Sequence, residues 1–317
     1  MDENTRIALV GIAAPLLIGA MAGFGAGLIK KSGKASPSAK HVGDHDDGFV
    51  GARALAVVGL TIALFVSVCG IYGVAAWPPT GMGDRLALVA PIIGLVGLAG
   101  LFLTAWRGRS SVGGERGLGW MISCASAGIG GALGTLVALA LWKGETAPAL
   151  WLPLVFGLWS ALAAWAIGAL VRPPVQAGKS AAAVLIGLAL AVGAGLLGTG
   201  SMKLGQSGFG VAAAAAGLIA GVMLVRGSTG PGAIAVISAA LGVLLSCGVQ
   251  LSSTPWWVVA TLACVAPAAW VADRLIGRSL GIVGGALIRI GAAALVAAIA
   301  VGPGIWSLIR FAMGSGE

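Results

Sequence analysis

Charge is what this chain has least of. Only 9% of its 317 residues are charged, against 58% that are hydrophobic. A soluble domain carries about 25% charged residues, so a water-facing surface cannot be built from this composition. Acids are scarcer than bases, with 10 Asp and Glu against 19 Lys and Arg, for a net charge of +9. Nucleic-acid binding would need those cations clustered on one face with polar or aromatic partners. Here they stand singly or in small groups at the ends of apolar runs. That pattern excludes nucleic acid as a partner and points to lipid headgroups.

The usual carriers of catalysis are thin as well. The chain has 2 His, 1 Tyr and 4 Cys. Cys69, Cys124, Cys247 and Cys264 each fall inside an apolar run, with no CxxC and no neighbouring His, so they read as small buried hydrophobes. No G-x-S-x-G elbow occurs. Gly178-Lys179-Ser180 matches only the end of a phosphate loop, because Pro173 stands where the first glycine is required. Gly23-Phe24-Gly25-Ala26-Gly27 lies within an apolar run, not between a strand and a helix, so it is no dinucleotide fingerprint. No cofactor and no enzyme class follow from the sequence.

The acids themselves read as terminal or loop residues: Asp2, Glu3, Asp44, Asp46, Asp47, Asp84, Glu115, Glu145, Asp273 and Glu317. Carriers driven by protons or sodium keep a carboxylate within the membrane despite its cost. Ion coupling therefore loses ground, and so do membrane enzymes built on acid–base pairs or metal diphosphates.

Long apolar runs are what the chain does have. The first, Ile7 to Ile29, would extend about 34 Å as a helix, enough for a hydrocarbon core of about 30 Å. Ala20-Met21-Ala22 resembles a signal-peptidase site, but the run is too long for an h-region, its leader is weakly positive, and Lys30-Lys31 follow it. It reads as a retained helix. Further runs cover 54–77, 86–106, 118–142, 148–171, 180–202, 208–225, 231–250, 255–276 and 290–313. The chain is thus expected to be a single membrane domain, 1–317, an all-α polytopic integral membrane bundle of about ten transmembrane helices.

Residues 30–53 form the one long hydrophilic stretch and carry Lys30, Lys31, Lys34, Lys40 and Arg53. His41 and His45, with Asp44, Asp46 and Asp47 beside them, have the side chains of a borderline metal site. The surrounding Ser, Gly, Lys, Ala and Pro cannot fold a cage, so a flexible cytoplasmic loop without metal is expected. The alternate loops repeat its positive charge: Arg107, Arg109, Arg116; Arg172, Lys179; Arg226; Arg274, Arg278, Arg289. The opposite set holds only Arg6, Arg85, Lys143, Lys203 and Arg310. The positive-inside rule then puts the odd loops in the cytoplasm and both termini outside a cell membrane.

Small residues lie on helix faces: Gly19, Gly23 and Gly27; Ser123, Ser126, Gly130 and Gly134; Ser238, Gly242, Ser246 and Gln250. Such faces let backbones approach closely, within the chain or against another membrane protein. A faint echo pairs Trp151 and Trp165 with Trp256 and Trp270, each pair 14 apart and ending Ala-Ala-Trp; it fits either a parallel repeat or chance. Of the polar residues inside the runs, Tyr72, Thr199, Ser201, Ser246, Gln250 and Thr261 would lie toward the outer half. They could form a neutral pocket opening outward, or simply satisfy carbonyls of their own helices. Two function classes stand side by side. One is a permease-like carrier of a neutral or lipophilic small molecule; the other is a non-catalytic membrane subunit or scaffold of a larger membrane complex.

Overall fold

A computed structural model of the chain describes residues 2–32, 45–73, 81–108, 115–140, 151–171, 177–225, 230–252, 254–277 and 281–314. Among them are ten helices long and apolar enough to cross a membrane, and no strand. They are α1 (Glu3–Ile29), α2 (Val50–Tyr72), α3 (Met82–Trp106), α4 (Trp120–Leu139), α5 (Leu152–Leu170), α6 (Ala181–Gly198), α7 (Met202–Leu224), α8 (Gly230–Leu251), α9 (Trp256–Ile276) and α10 (Val283–Gly304). Hydrocarbon offers no partner for a backbone N–H or C=O, so an apolar run of this length must bond within itself. The polytopic all-helical bundle is the fold observed.

Helical backbone does not end where the apolar stretch ends. It continues from α1 to Ser32, begins before α2 at His45, and around α10 covers Gly281–Gly314. The middle of the hydrophilic stretch, with His41 and Asp44, lies outside the described residues.

The helices pack as a ring about a centre. In order, α2, α3, α4, α5, α6 and α7 each touch the next, α7 closes back on α2, and all six touch α8. Within its apolar window α8 is 94% buried, against 17% for α10, the outermost helix. α1 fills the groove between α2 and α7; α9 packs on α5 and α6; α10 lies on α6 and α9.

Glycine allows the closest of these contacts. A methyl group at Gly19 would strike the Ala214 carbonyl oxygen, and one at Gly23 the Leu218 carbonyl. The fit is reciprocal: Gly217 meets the Leu16 carbonyl and Gly221 the Ala20 carbonyl. Two i, i+4 glycine ridges thus bring the α1 and α7 backbones into contact, where van der Waals packing and weak Cα–H···O contacts hold helices together in lipid. Near its start α1 takes a π-helical turn, Ile7–Ala13. Gly70 of α2 packs on the Gly11 backbone there, and the Ser67 hydroxyl donates to the Gly11 carbonyl at 2.8 Å.

The other small faces also turn inward. Gly130 packs near Ala239 and Val96, Gly134 near Val243 and Val89, and Ser126 against Gly100. Gly131 of α4 and Gly242 of α8 both close on the Ser160 hydroxyl of α5. Glycines of all three faces marked in the sequence make close contacts within the chain.

Helix ends sort into two sets, as an up-and-down bundle requires. At one end Glu3 approaches Lys203, Thr199 meets Thr254, and Gly304 packs on Gly198. At the other, Gly27 meets Val225, Gly230 lies by Arg53, and Trp120 covers Gly168. The tryptophan echo has a concrete geometric outcome. α5 and α9 run side by side in the same direction and in register, with Trp151 on Trp256 at 5.4 Å and Trp165 on Trp270 at 5.3 Å between ring centroids.

Gly217→Val is expected to lower stability by about 1–3 kcal/mol, because nothing in the α1 backbone can yield to the added carbons. Gly187→Ala, in α6 with open space around it, should be neutral or stabilise by up to about 1 kcal/mol. Thermal unfolding of the two variants in one detergent compares them; equal melting temperatures would contradict the packing.

Candidate functional site

A cavity of about 40 Å³ lies between α2, α3, α7 and α8. A water needs about 10–15 Å³ of such space, so there is room for a few water-sized molecules. Leu64, Val68, Leu86, Val89, Ile93, Val211, Val243 and Leu244 make most of its wall. Ser67 and Ser207 also line it, but both hydroxyls are engaged, Ser67 with the Gly11 carbonyl and Ser207 with the Lys203 carbonyl at 3.0 Å. The space is apolar in effect. It can take a small nonpolar guest and offers no group to orient a polar one.

Tyr72 stands at the edge of this cavity. Gly83 of α3 packs against its ring. The Lys203 ammonium lies 5.8 Å from the ring centre and 3.8 Å from a Glu3 carboxylate oxygen. The Lys203 and Glu3 side chains are more than half exposed, so their attraction is worth at most about 1 kcal/mol. This is a light cover, made by the first turn of α1 over the junction of α2 and α7.

The other residues marked for an outer pocket find partners elsewhere. Thr199 donates to the Leu196 carbonyl at 3.0 Å and lies 3.1 Å from the Thr254 hydroxyl, which is itself 3.1 Å from Ser252. With Gly200 at φ +90°, these bonds clamp the α6–α7 turn to the α8–α9 turn. Ser201 precedes α7, its backbone N–H bonded to the Leu196 carbonyl. Ser246 is fully buried, donates to Val243 at 2.7 Å, and accepts from Thr135 of α4 at 3.2 Å. Gln250 is partly exposed at the end of α8. Thr261 bonds the Trp257 carbonyl of its own helix at 2.7 Å on an exposed face of α9. Thr199 and Ser201 share a turn, but Tyr72, Ser246 and Thr261 point into three different environments.

One buried charge pair escapes the sequence reading. That reading puts Asp273 and Arg289 in a loop; the structure puts both inside apolar windows, Asp273 in α9 and Arg289 six residues into α10. Arg289 Nε donates to Asp273 Oδ1 at 2.7 Å, and a terminal guanidinium nitrogen approaches the same oxygen at 2.6 Å. The side chains are 12% and 4% exposed respectively. α9 and α10 pack against each other, and that contact brings the two residues together across the helix pair. An arginine at the centre of a span costs about 2.5–3.5 kcal/mol on insertion scales, and a carboxylate partner relieves that cost. Beside the pair α9 ends in a π-helical turn, Asp273–Gly277, and Arg274 turns outward over the Trp270 ring at 5.2 Å.

Among the described residues no three His, Cys, Asp or Glu come together as a metal site. The chain matches no protein-family model, no curated protein and no solved structure.

Removing one member of the ion pair leaves the other uncompensated in a buried place. Asp273→Asn or Arg289→Met should each cost about 3–5 kcal/mol, while the double replacement Asp273→Leu/Arg289→Leu should recover most of the loss. Unfolding in detergent across this cycle reads the coupling. Additive losses would contradict it.

Proposed function

We propose that this chain is a non-transporting membrane subunit, a compact helical body that holds its place in the bilayer and supports partners, in preference to a permease-like carrier. The observation that carries this reading is the state of α8. The central helix is 94% buried in its window and ringed by six helices; of its two buried hydroxyls Ser246 is bonded to Val243 and Thr135, and Ser238 is enclosed without a hydrogen-bond partner. A water-filled path needs polar groups on several facing helices through the whole depth of the membrane. Here the hydroxyls of Thr61, Thr104, Ser126 and Ser160 each bond a carbonyl of their own helix. The end that carries Arg53, Arg274 and Arg289 faces the cytoplasm on this reading, because cations are retained there.

The carrier reading keeps one observation in its favour, the apolar cavity lined in part by Ser67 and Ser207. It is small and offers no free polar group to orient a drug-sized ligand.

Single cysteines at Thr61, Ser126, Ser238 and Thr261, in a background lacking the native four, distinguish the two. A membrane-impermeant thiol reagent should leave all four unlabelled in the folded protein, Thr261 because its face meets lipid. Labelling of Thr61, Ser126 and Ser238 from water would reveal a transmembrane path and overturn the subunit reading.

A further inference from the structure

We infer that the end of α9 carries a docking site for one anionic phospholipid headgroup, built on Arg274 and Trp270. Three observations converge there. First, the nearest carboxylate in sequence, Asp273, is turned inward and taken by Arg289, whereas Arg274 is exposed. Second, the Arg274 guanidinium is held over Trp270, and Trp270 is braced in turn by Trp165 of α5. Stacking fixes the plane of the guanidinium while leaving its N–H edge available. That edge is a fork that matches two phosphate oxygens, which an ammonium cannot do. Third, the flanking side chains are ones that face acyl chains: Leu275 is 76% exposed, Ile276 50% and Trp165 40%.

A cation on a soluble face would be surrounded by polar side chains. This one stands at the rim of a lipid-facing surface, where indole rings settle at headgroup depth. The partner its surroundings fit is therefore a phosphate that arrives with acyl chains attached. A net negative lipid is favoured over a zwitterionic one because it brings no cation of its own to compete with Arg274. The site belongs to the more basic end of the bundle, and Arg278 follows four residues later in the sequence. The inference does not depend on whether the bundle is a subunit or a carrier.

The test uses the full chain in mild detergent, with bound lipid counted by native mass spectrometry. Dioleoyl phosphatidylglycerol should be retained more tightly than dioleoyl phosphatidylcholine. Arg274→Ala should weaken phosphatidylglycerol binding about fivefold, the share of one basic residue near an anionic surface. Arg274→Lys keeps the charge but loses the fork, and should fall between the two. Trp270→Leu should also weaken binding; if it does not fold, the two Arg274 variants carry the test, since that exposed side chain leaves no cavity behind. Lys203→Ala, at the opposite end, should change nothing. Unaltered phosphatidylglycerol binding in Arg274→Ala, or no preference over phosphatidylcholine in the wild type, would overturn the proposal. Displacement of the lipid by millimolar inorganic phosphate would show a site for a free anion and overturn it equally.

Discussion

Inside a bilayer, two apolar helices gain nothing from hiding their side chains from each other, because lipid tails are as apolar as leucine. Cohesion must come from contacts that lipid cannot imitate. In this chain the leading one is backbone meeting backbone, at Gly19 and Gly23 of α1 against Ala214 and Leu218 of α7, returned by Gly217 and Gly221. The same device recurs where Gly131 and Gly242 close on Ser160. Hydroxyls supply the second kind of contact, between Thr135 and Ser246, and between Thr199 and Thr254. With these contacts six helices can close around α8 without a polar core.

Charge obeys the same constraint in the opposite sense. A charged group is tolerated where it reaches headgroups or finds a partner. Glu3 and Lys203 stand at a helix-end surface and pair loosely, while Asp273 and Arg289 lie within apolar windows and pair closely. The second pair ties α10, the least buried helix, to α9. Next to it Arg274 is exposed and stacks on the Trp270 ring.

Ten helices are legible in the sequence because a span of about 20 apolar residues admits no other hydrogen-bonded form in hydrocarbon. The glycine ridge of α1 is legible too, because i, i+4 spacing is a property of one helix. Its partner on α7 has the same spacing at Gly217 and Gly221, but which two ridges meet is a tertiary fact. The pocket residues show the limit most clearly. Sequence position gives the depth of Tyr72, Ser246 and Thr261 in the membrane but not the direction each faces, and direction is what separates them. The Asp273–Arg289 pair is obscured for a different reason. Asp273 falls inside the run 255–276 and Arg289 just before the run 290–313, and charges so near a span end read as loop residues when only sequence position is known. The available signal was an acid and a base of opposite sign within two consecutive apolar spans.

The account rests on α8 being the dry centre of a closed ring, with no water reaching it in the folded state. Hydrogen exchange of the full chain in lipid nanodiscs, followed by mass spectrometry, addresses that directly, since local exchange reports openings well below global unfolding. Peptides from the middle of Gly230–Leu251 should exchange only as fast as the whole chain unfolds. Exchange throughout α8 on a timescale faster than global unfolding would mean that water enters the ring and that the closed, non-transporting reading is wrong.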